Sequence, residues 1–80
     1  MAVPRRLAIF LLELIKQDEQ KTIVDLPFNK TVLAAHLGIQ PGTLSRAFNQ
    51  LVEYGVKTDR GGQIIFEDKE RLQKYANNMV

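Results

Sequence analysis

The sequence predicts a mainly α-helical domain with a small antiparallel β component, arranged as a winged helix-turn-helix. Two observations carry this prediction. Two short amphipathic helical stretches, 30–37 and 41–52, are separated by a three-residue turn. Adjacent glycines at 61–62 lie between two short stretches rich in β-branched residues, which is typical of a hairpin. The expected order is helix, strand, helix-turn-helix, β-hairpin wing and C-terminal helix, in a single domain over residues 1–80.

The stretch 29–51 organises the chain. Its second half carries apolar side chains at the i, i+3, i+4, i+7 spacing of a half-buried helix: Leu44, Ala47, Phe48 and Leu51. Asn29 is suited to cap the start of the first helix. Gly38 lies just past the end of that helix, where a left-handed residue stops a helix and redirects the chain. Ala34 is small enough to permit a close helix crossing, so the stretch has the skeleton of a helix-turn-helix.

The other elements follow from simpler patterns. Pro4 is suited to the first turn of an apolar helix, which we expect to be the central packing element. Asp68 is suited to cap the last helix. The predicted bounds are helices 4–16, 30–37, 41–52 and 69–77 and strands 22–26, 56–58 and 63–67, with residues 1–3 as a start segment or linker.

The sequence also predicts which side chains form the core and which remain in solvent. Eighty residues suffice for a modest core without metal or disulfide support. The charged residues of the first helix are expected to remain in solvent: Arg5, Arg6, Glu13 and Lys16. The aromatic residues are expected to pack the core rather than to stack on bases: Phe10, Phe28, Phe48, Phe66, Tyr54 and Tyr75.

Composition excludes several classes of protein. The chain has no cysteine, which excludes a disulfide framework, a thiolate metal site and an iron–sulfur cluster within it. Its longest apolar run, 7–12, is too short to span a membrane. The start does not resemble a secretory signal, because charged Glu13 and Lys16 follow the apolar run. We therefore expect a cytoplasmic protein that does not insert into membranes.

The second helix of the helix-turn-helix has a polar face opposite its apolar stripe. This face carries one arginine, Arg46, and lacks the Glu–Lys pairs of an ordinary solvated helix. Such a face suits contact with base edges in the major groove of DNA. The planar fork of Arg46 can donate two hydrogen bonds to a guanine. The alternative is a solvent-exposed arginine that pairs with Gln50 or Glu53.

Three segments carry a family resemblance, namely RRLAIFLLEL at 5–14, LPFNKTVLAAHLGIQPGTLSRAFNQLVEYGV at 26–56 and GGQIIFEDKERLQKYA at 61–76. They resemble the C-terminal DNA-binding domain of the Crp/Fnr family of bacterial transcription regulators. The family pattern has an LA-x-x-LG-I turn, then T-[VL]-SR and a leucine before x-x-x-G. The matching residues are Leu33, Ala34 or Ala35, Leu37, Gly38, Ile39, Thr43, Leu44, Ser45, Arg46, Leu51 and Gly55.

The resemblance implies sequence-specific binding of a double-stranded DNA operator, with helix 41–52 in the major groove. In the family, the arginine of the SR pair reads a guanine and the neighbouring serine and threonine contact DNA. These roles carry over to Arg46, Ser45 and Thr43, although the last two could simply support the first turn of the helix. The family commonly has a polar residue and a glutamate where this sequence has Pro41 and Gly42. This departure removes an acceptor for cytosine and puts the operator sequence in doubt.

Further residues are candidates for contact with DNA. Asn49 is a candidate base reader that could equally be neutral in solvent. Four of the eleven basic residues lie within the proposed DNA-facing elements, whereas Asp18, Glu19, Glu67, Asp68 and Glu70 lie outside them, and this modest segregation and the net charge of +2 are compatible with DNA binding. Lys30, Thr31, Lys57 and Arg60 could equally be ordinary surface residues. The candidate backbone contacts are Lys30, Thr31, Gln40, Gln50, Lys57 and Arg60.

The resemblance also implies what lies outside these residues. Members of the family usually carry an N-terminal β-roll sensor domain and a long dimerisation helix, and neither is in this sequence. We therefore expect an effector domain without a cofactor of its own, because an effector would bind the sensor domain. The full-length regulator is expected to be a homodimer that could contact RNA polymerase, whereas the isolated domain is expected to be monomeric.

Other functions are weaker interpretations of the sequence. No nucleophile–base pair, carboxylate dyad, phosphate-binding loop or metal cluster is recognisable, so we do not expect an enzyme. The single histidine, His36, lacks nearby cysteines or paired carboxylates. The remaining alternatives are a winged helix that binds another protein and a winged helix that binds RNA.

Overall fold

The computed structural model describes residues 2–16, 20–25, 29–59 and 62–77. Within these residues, four helices and a three-stranded antiparallel sheet form a winged helix-turn-helix, as predicted. The elements in chain order are α1 (Val3–Ile15), β1 (Ile23–Asp25), α2 (Lys30–Leu37), α3 (Pro41–Leu51), β2 (Val56–Thr58), β3 (Gln63–Phe66) and α4 (Lys69–Asn77), and a 3-10 turn (Val52–Tyr54) directly follows α3.

The predicted bounds of α2, β2 and α4 are confirmed residue for residue. The start of α2 is fixed by Asn29, whose Oδ1 accepts a hydrogen bond from the Val32 amide at 2.9 Å. At its end, Gly38 has a φ of 73°, and its N–H donates to a carbonyl of the last turn. Asp68 likewise caps α4 by accepting a hydrogen bond from the Arg71 amide at 3.0 Å. These local signals are the ones that the sequence shows.

Four predicted elements differ from the observed elements by one residue at one or both ends. Helix α1 begins at Val3 and ends at Ile15 rather than running over 4–16. Strand β1 begins at Ile23 rather than at residue 22, and its predicted end at residue 26 lies outside the described residues. Helix α3 ends at Leu51 rather than at residue 52, because the chain tightens into the 3-10 turn. Strand β3 ends before Glu67. The Glu67 amide still donates to the carbonyl of Gly55, which is opposite it in the register, but the Gly55 N–H donates to the Val52 carbonyl instead of returning the bond.

The core lies between α1, α3, α4 and the inner face of the sheet. The predicted apolar stripe of α3 is confirmed as fully buried. Helix α1 packs against both α3 and α4, which makes it the central packing element that its apolar sequence predicts. The buried side chains are Leu7, Ala8, Leu11, Ile15, Leu33, Ala34, Leu37, Leu44, Ala47, Phe48, Leu51, Val56, Ile64, Phe66, Leu72 and Ala76.

The sheet has the strand order β1-β3-β2, so the last strand in sequence lies in the middle. Ile65 of β3 is opposite Ile23 on one side and Lys57 on the other. Because side chains alternate between the faces of a strand, Ile64 and Phe66 point into the core while Ile65 points outward. The outer face of the sheet therefore presents Lys57 to solvent.

The aromatic residues pack as predicted wherever the structure describes them. Phe48 and Phe66 are buried, and Phe10, Tyr54 and Tyr75 are half-buried against the core. The rings of Tyr54 and Tyr75 stack, with their centroids 4.2 Å apart. The predicted role of Phe28 falls on a residue outside the described ranges.

Arg5 corrects the prediction that all charged residues of α1 remain in solvent, whereas Arg6 is exposed as predicted but makes a hydrogen bond that the sequence did not indicate. Arg6 Nη2 donates a hydrogen bond to the Leu37 carbonyl at 2.6 Å. Arg5 is half-buried, with its guanidinium carbon 5.8 Å from the centroid of the Tyr75 ring. Long arginine stems can pack along apolar surface, and the first turn of α1 lies between the end of α2 and α4. Glu13 and Lys16 are exposed, as predicted.

Candidate nucleic-acid interface

The outer face of α3 brings the candidate base readers together. Arg46, Ser45 and Asn49 are exposed on this face, and Thr43 at its edge is half-buried. Gln50, a candidate backbone contact, is exposed on its flank. Because the opposite stripe is fully buried, this face is the surface that α3 can offer to another molecule.

The first turn of α3 is sterically open. Gln40 precedes the helix with extended backbone angles and makes no side-chain cap, and Pro41 contributes no N–H. A Cβ atom added at Gly42 would meet nothing within 4 Å, and Gly42 has no positive φ. Neither packing nor backbone conformation therefore requires a glycine at this position.

Arg46 is held by its own helix. Its Nη2 donates a hydrogen bond to Thr43 Oγ1 at 3.4 Å. Among the residues described, Arg46 makes this hydrogen bond. It does not pair with Gln50 or Glu53, which was the alternative that the sequence left open. No carboxylate of the described residues therefore neutralises the guanidinium, which keeps most of its five N–H donors for a ligand.

The first turn of α2 contributes two exposed candidates for phosphate contact. Lys30 is the first residue of the helix, and its Nζ lies 5.4 Å from the centroid of the Phe48 ring of α3. Thr31 is exposed beside it. The contact of Lys30 with Phe48 holds a positive charge close to α3.

The wing is a tight hairpin between β2 and β3. Asp59 Oδ1 accepts a hydrogen bond from the Gln63 amide at 2.9 Å, and Gly62 has a φ of 85°. Arg60, the candidate contact at the hairpin tip, lies outside the described residues. Lys57 on β2 is exposed, but its Nζ lies 3.4 Å from Glu67 Oε2. The wing lysine therefore carries an acidic neighbour.

Sequence reasoning missed this role of Glu67. The signal is the strand register, because Lys57 is opposite Ile65 and the chain leaves β3 two residues later at Glu67. The register could not be known before the hairpin was placed. The electrostatic potential around Lys57 thus depends on the Lys57–Glu67 ion pair rather than on Lys57 alone.

Neither a metal site nor a membrane segment is found in the part of the chain that the structure describes. There, no three histidine or acidic side chains are grouped as metal ligands, and His36 lies against Phe10 with ring centroids 5.5 Å apart. None of the helices described has the length and apolarity needed to cross a bilayer.

Comparison with known families agrees with this geometry. Residues 5–75 match the family model of the Crp-like helix-turn-helix domain. The chain belongs to this family. The Crp-like domain is a non-enzymatic DNA-binding unit of transcription regulators, so its partner is DNA.

Solved structures of regulators contain similar domains. A protein from Silicibacter pomeroyi, described as a candidate cAMP-binding regulatory protein, shares 36% identity with a TM-score of 0.81 over 96% of this chain and 33% of its own. FixK2 from Bradyrhizobium japonicum shares 27% identity with a TM-score of 0.76 over 91% of this chain and 37% of its own. A candidate regulator of the Crp/Fnr family from Eubacterium rectale shares 29% identity with a TM-score of 0.75 over 94% of this chain and 33% of its own.

The Crp-like domain thus spans about a third of the length of these structures. No significant match was found among curated protein sequences. The comparisons confirm the resemblance seen in the sequence, and they favour DNA over RNA or another protein as the partner.

Proposed function

We propose that this Crp-like domain reads a specific sequence of double-stranded DNA by placing the outer face of α3 in the major groove. The observation that carries the proposal is the exposed guanidinium of Arg46 in the middle of that face, without a carboxylate partner among the described residues. The major groove of B-DNA admits an α-helix, and a guanine presents two acceptors there to an arginine fork.

The side chains around Arg46 have complementary roles. Ser45 and Asn49 are exposed on the same face and are the neighbouring candidates for base contact. Thr43 begins the face and lies closest to the helix start. A bidentate contact of Arg46 with guanine contributes about 1–3 kcal/mol of discrimination against another base.

Backbone contacts position the domain without reading sequence. We assign contacts with the DNA backbone to the first turn of α2, to the start and flank of α3 and to the wing. Hydroxyl, amide and cationic groups there can reach phosphate oxygens. The residues are Lys30, Thr31, Gln40, Gln50, Lys57 and Arg60. Each lysine or arginine that neutralises a phosphate makes the affinity more dependent on salt.

The longer proteins that contain similar domains suggest the setting. In a full-length regulator, two copies would read half-sites about 34 Å apart on one face of the DNA. The isolated domain would remain a monomer that binds a single half-site weakly. An effector would bind outside these 80 residues, and a contact with RNA polymerase would belong to the full-length dimer. A tight dimer of the isolated domain in analytical ultracentrifugation would contradict this proposal.

The test is fluorescence anisotropy on duplexes that have been enriched from a random pool for binding to this domain. The readout is the ratio of affinities for the enriched and the random duplexes, measured across a salt series. Arg46→Ala is compared with Lys74→Ala, which removes the same charge from an exposed site on α4. We expect Arg46→Ala to lower the ratio by about tenfold, in line with the loss of a bidentate base contact, and Lys74→Ala to leave it unchanged.

Three outcomes would contradict the proposal. If both variants retain the full ratio, Arg46 does not read a base. If structured RNA displaces the enriched duplex at equal concentration, the domain does not select duplex DNA. A steep dependence of affinity on salt with no enrichment at all would indicate phosphate binding without sequence readout.

A further inference from the structure

The hydroxyl of Thr43 supports the guanidinium of Arg46 in the free domain. Arg46 Nη2 donates to Thr43 Oγ1 at 3.4 Å, and the two residues are one turn apart on the outer face of α3. Thr43 is half-buried, whereas Arg46 is exposed. Thr43, which is partly fixed by packing, thus holds the exposed side chain of Arg46.

No other side chain of the first turn could take this role. The position four residues before Arg46, from which a carboxylate could pair with it, is Gly42. A Cβ added at Gly42 would meet nothing within 4 Å, so the space beside the arginine stem is open on that side. The first turn of α3 also contains no acidic residue.

Threonine is suited to this role by its stiffness. A threonine in a helix is confined to two main χ1 rotamers, so its hydroxyl has only two main directions. Accepting one N–H from Arg46 leaves four of the five guanidinium donors free. One N–H on each Nη atom therefore remains available for the two acceptors of a guanine.

We propose that Thr43 is a positioning residue that fixes the direction of the Arg46 fork before DNA binds. This inference rests on the proposed function, since it concerns how Arg46 discriminates guanine. It assigns to the Thr43 hydroxyl a task distinct from its own contact with DNA. A guanidinium that is already held in the binding direction loses less conformational freedom when DNA binds. The resulting gain in affinity is restricted to duplexes that carry the base that Arg46 reads.

The test compares two substitutions that differ in the hydroxyl. Thr43→Val keeps the branched shape and removes the acceptor, whereas Thr43→Ser keeps the acceptor. The readout is the ratio of affinities for an enriched duplex and for the same duplex with its guanine replaced. We expect Thr43→Val to lower this ratio by about threefold to tenfold, the scale of one hydrogen bond, and Thr43→Ser to preserve it within about twofold.

A double-mutant cycle separates positioning from direct contact. In the Arg46→Ala background, Thr43→Val is expected to cause no further loss, because there is no fork left to position. In the free domain, NMR relaxation of the Arg46 Nε–Hε group is expected to show larger-amplitude motion in Thr43→Val than in Thr43→Ser. Thermal unfolding verifies that both variants are folded.

Each result decides between distinct roles. An unchanged ratio in Thr43→Val would overturn the positioning role, and an equal loss in the Arg46→Ala background would show that Thr43 contacts DNA independently. Neither of these two results would contradict the proposed function. If Arg46→Ala itself retains the ratio, the proposed function fails first, whatever Thr43 does.

Discussion

Arg6 ties the first turn of α1 to the last residue of α2, because its Nη2 donates to the Leu37 carbonyl at 2.6 Å. That carbonyl belongs to the group at a helix end that has no partner within the helix. It also lies at the negative end of the helix dipole, where a guanidinium is favoured. Gly38 follows immediately. The bond therefore fixes the position of the helix-turn-helix turn relative to the central helix of the core.

Loss of this bond is expected to lower the free energy of unfolding. Arg6→Met keeps an apolar stem and removes the donor. A hydrogen bond from a charged group contributes about 1.5–3 kcal/mol, and we expect about 1 kcal/mol here because Arg6 is exposed and the hydrogen bond is only partly buried. The measurement is urea unfolding, with Lys74→Met on the surface of α4 as the control. Equal stability of both variants would show that the bond is not maintained in solution.

Position 55 requires a glycine for two reasons, namely its positive φ and the close approach of Asp68. It has a φ of +83°, and a Cβ atom there would lie 2.6 Å from the Asp68 amide nitrogen. Gly38 has a similar φ of +73° but nothing within 4 Å of an added Cβ. The left-handed conformation costs an alanine about 1–2 kcal/mol, so Gly38→Ala is expected to lose that much and Gly55→Ala distinctly more.

The measurement for this pair is thermal or urea unfolding of both variants. Gly55→Ala must also displace Asp68, whose carboxylate caps α4. We therefore expect hydrogen exchange in the first turn of α4 to accelerate in this variant only. Equal losses in the two variants would mean that the chain relaxes around Gly55 at no cost.

Much of the fold could be predicted because its signals are local. The ends of α2 are set by the Asn29 cap and by Gly38, and each acts within four residues. The start of α4 is set in the same way by Asp68. The buried stripe of α3 follows from helical periodicity alone, so it needed no knowledge of what covers it.

The remaining contacts depend on which elements meet. The partner of Arg6 lies 31 positions away, and nothing in the sequence near Arg6 indicates it. The pairing of Lys57 with Glu67 likewise depends on the hairpin register. For Arg46 the sequence offers Gln50 and Glu53 as local partners, but the structure shows a hydrogen bond to Thr43. Helical side chains point toward the N-terminus, so the arginine reaches back to Thr43 rather than forward to Gln50.

The wing pair is expected to tune binding to DNA without affecting stability. Lys57 Nζ and Glu67 Oε2 are 3.4 Å apart at a site where both side chains are about half exposed, and such pairs contribute little to folding. Glu67→Gln frees Lys57 and is expected to raise affinity, whereas Lys57→Gln is expected to lower the salt slope by about one. Anisotropy titrations at several salt concentrations measure both effects. Two variants with the slope of the parent domain would place Lys57 away from phosphates.

Gly42 offers a test of how α3 faces the bases. A side chain fits there without strain, and a carboxylate in the first turn of a helix is favoured by the dipole. If this turn faces the major groove, Gly42→Glu supplies an acceptor for the amino group of a cytosine. We expect selection from random duplexes to yield a site with one additional preferred cytosine, at about 1–3 kcal/mol of discrimination.

The control for this variant is Gly42→Gln, which has the same size and no charge. Both variants are expected to be at least as stable as the parent domain, because replacing a helical glycine recovers up to about 1 kcal/mol. The glutamate also lies four residues before Arg46 and can pair with it, so the preference for guanine is expected to weaken slightly in Gly42→Glu alone. If both variants select the duplexes of the parent domain, the first turn of α3 does not face base edges, and readout begins later along the helix.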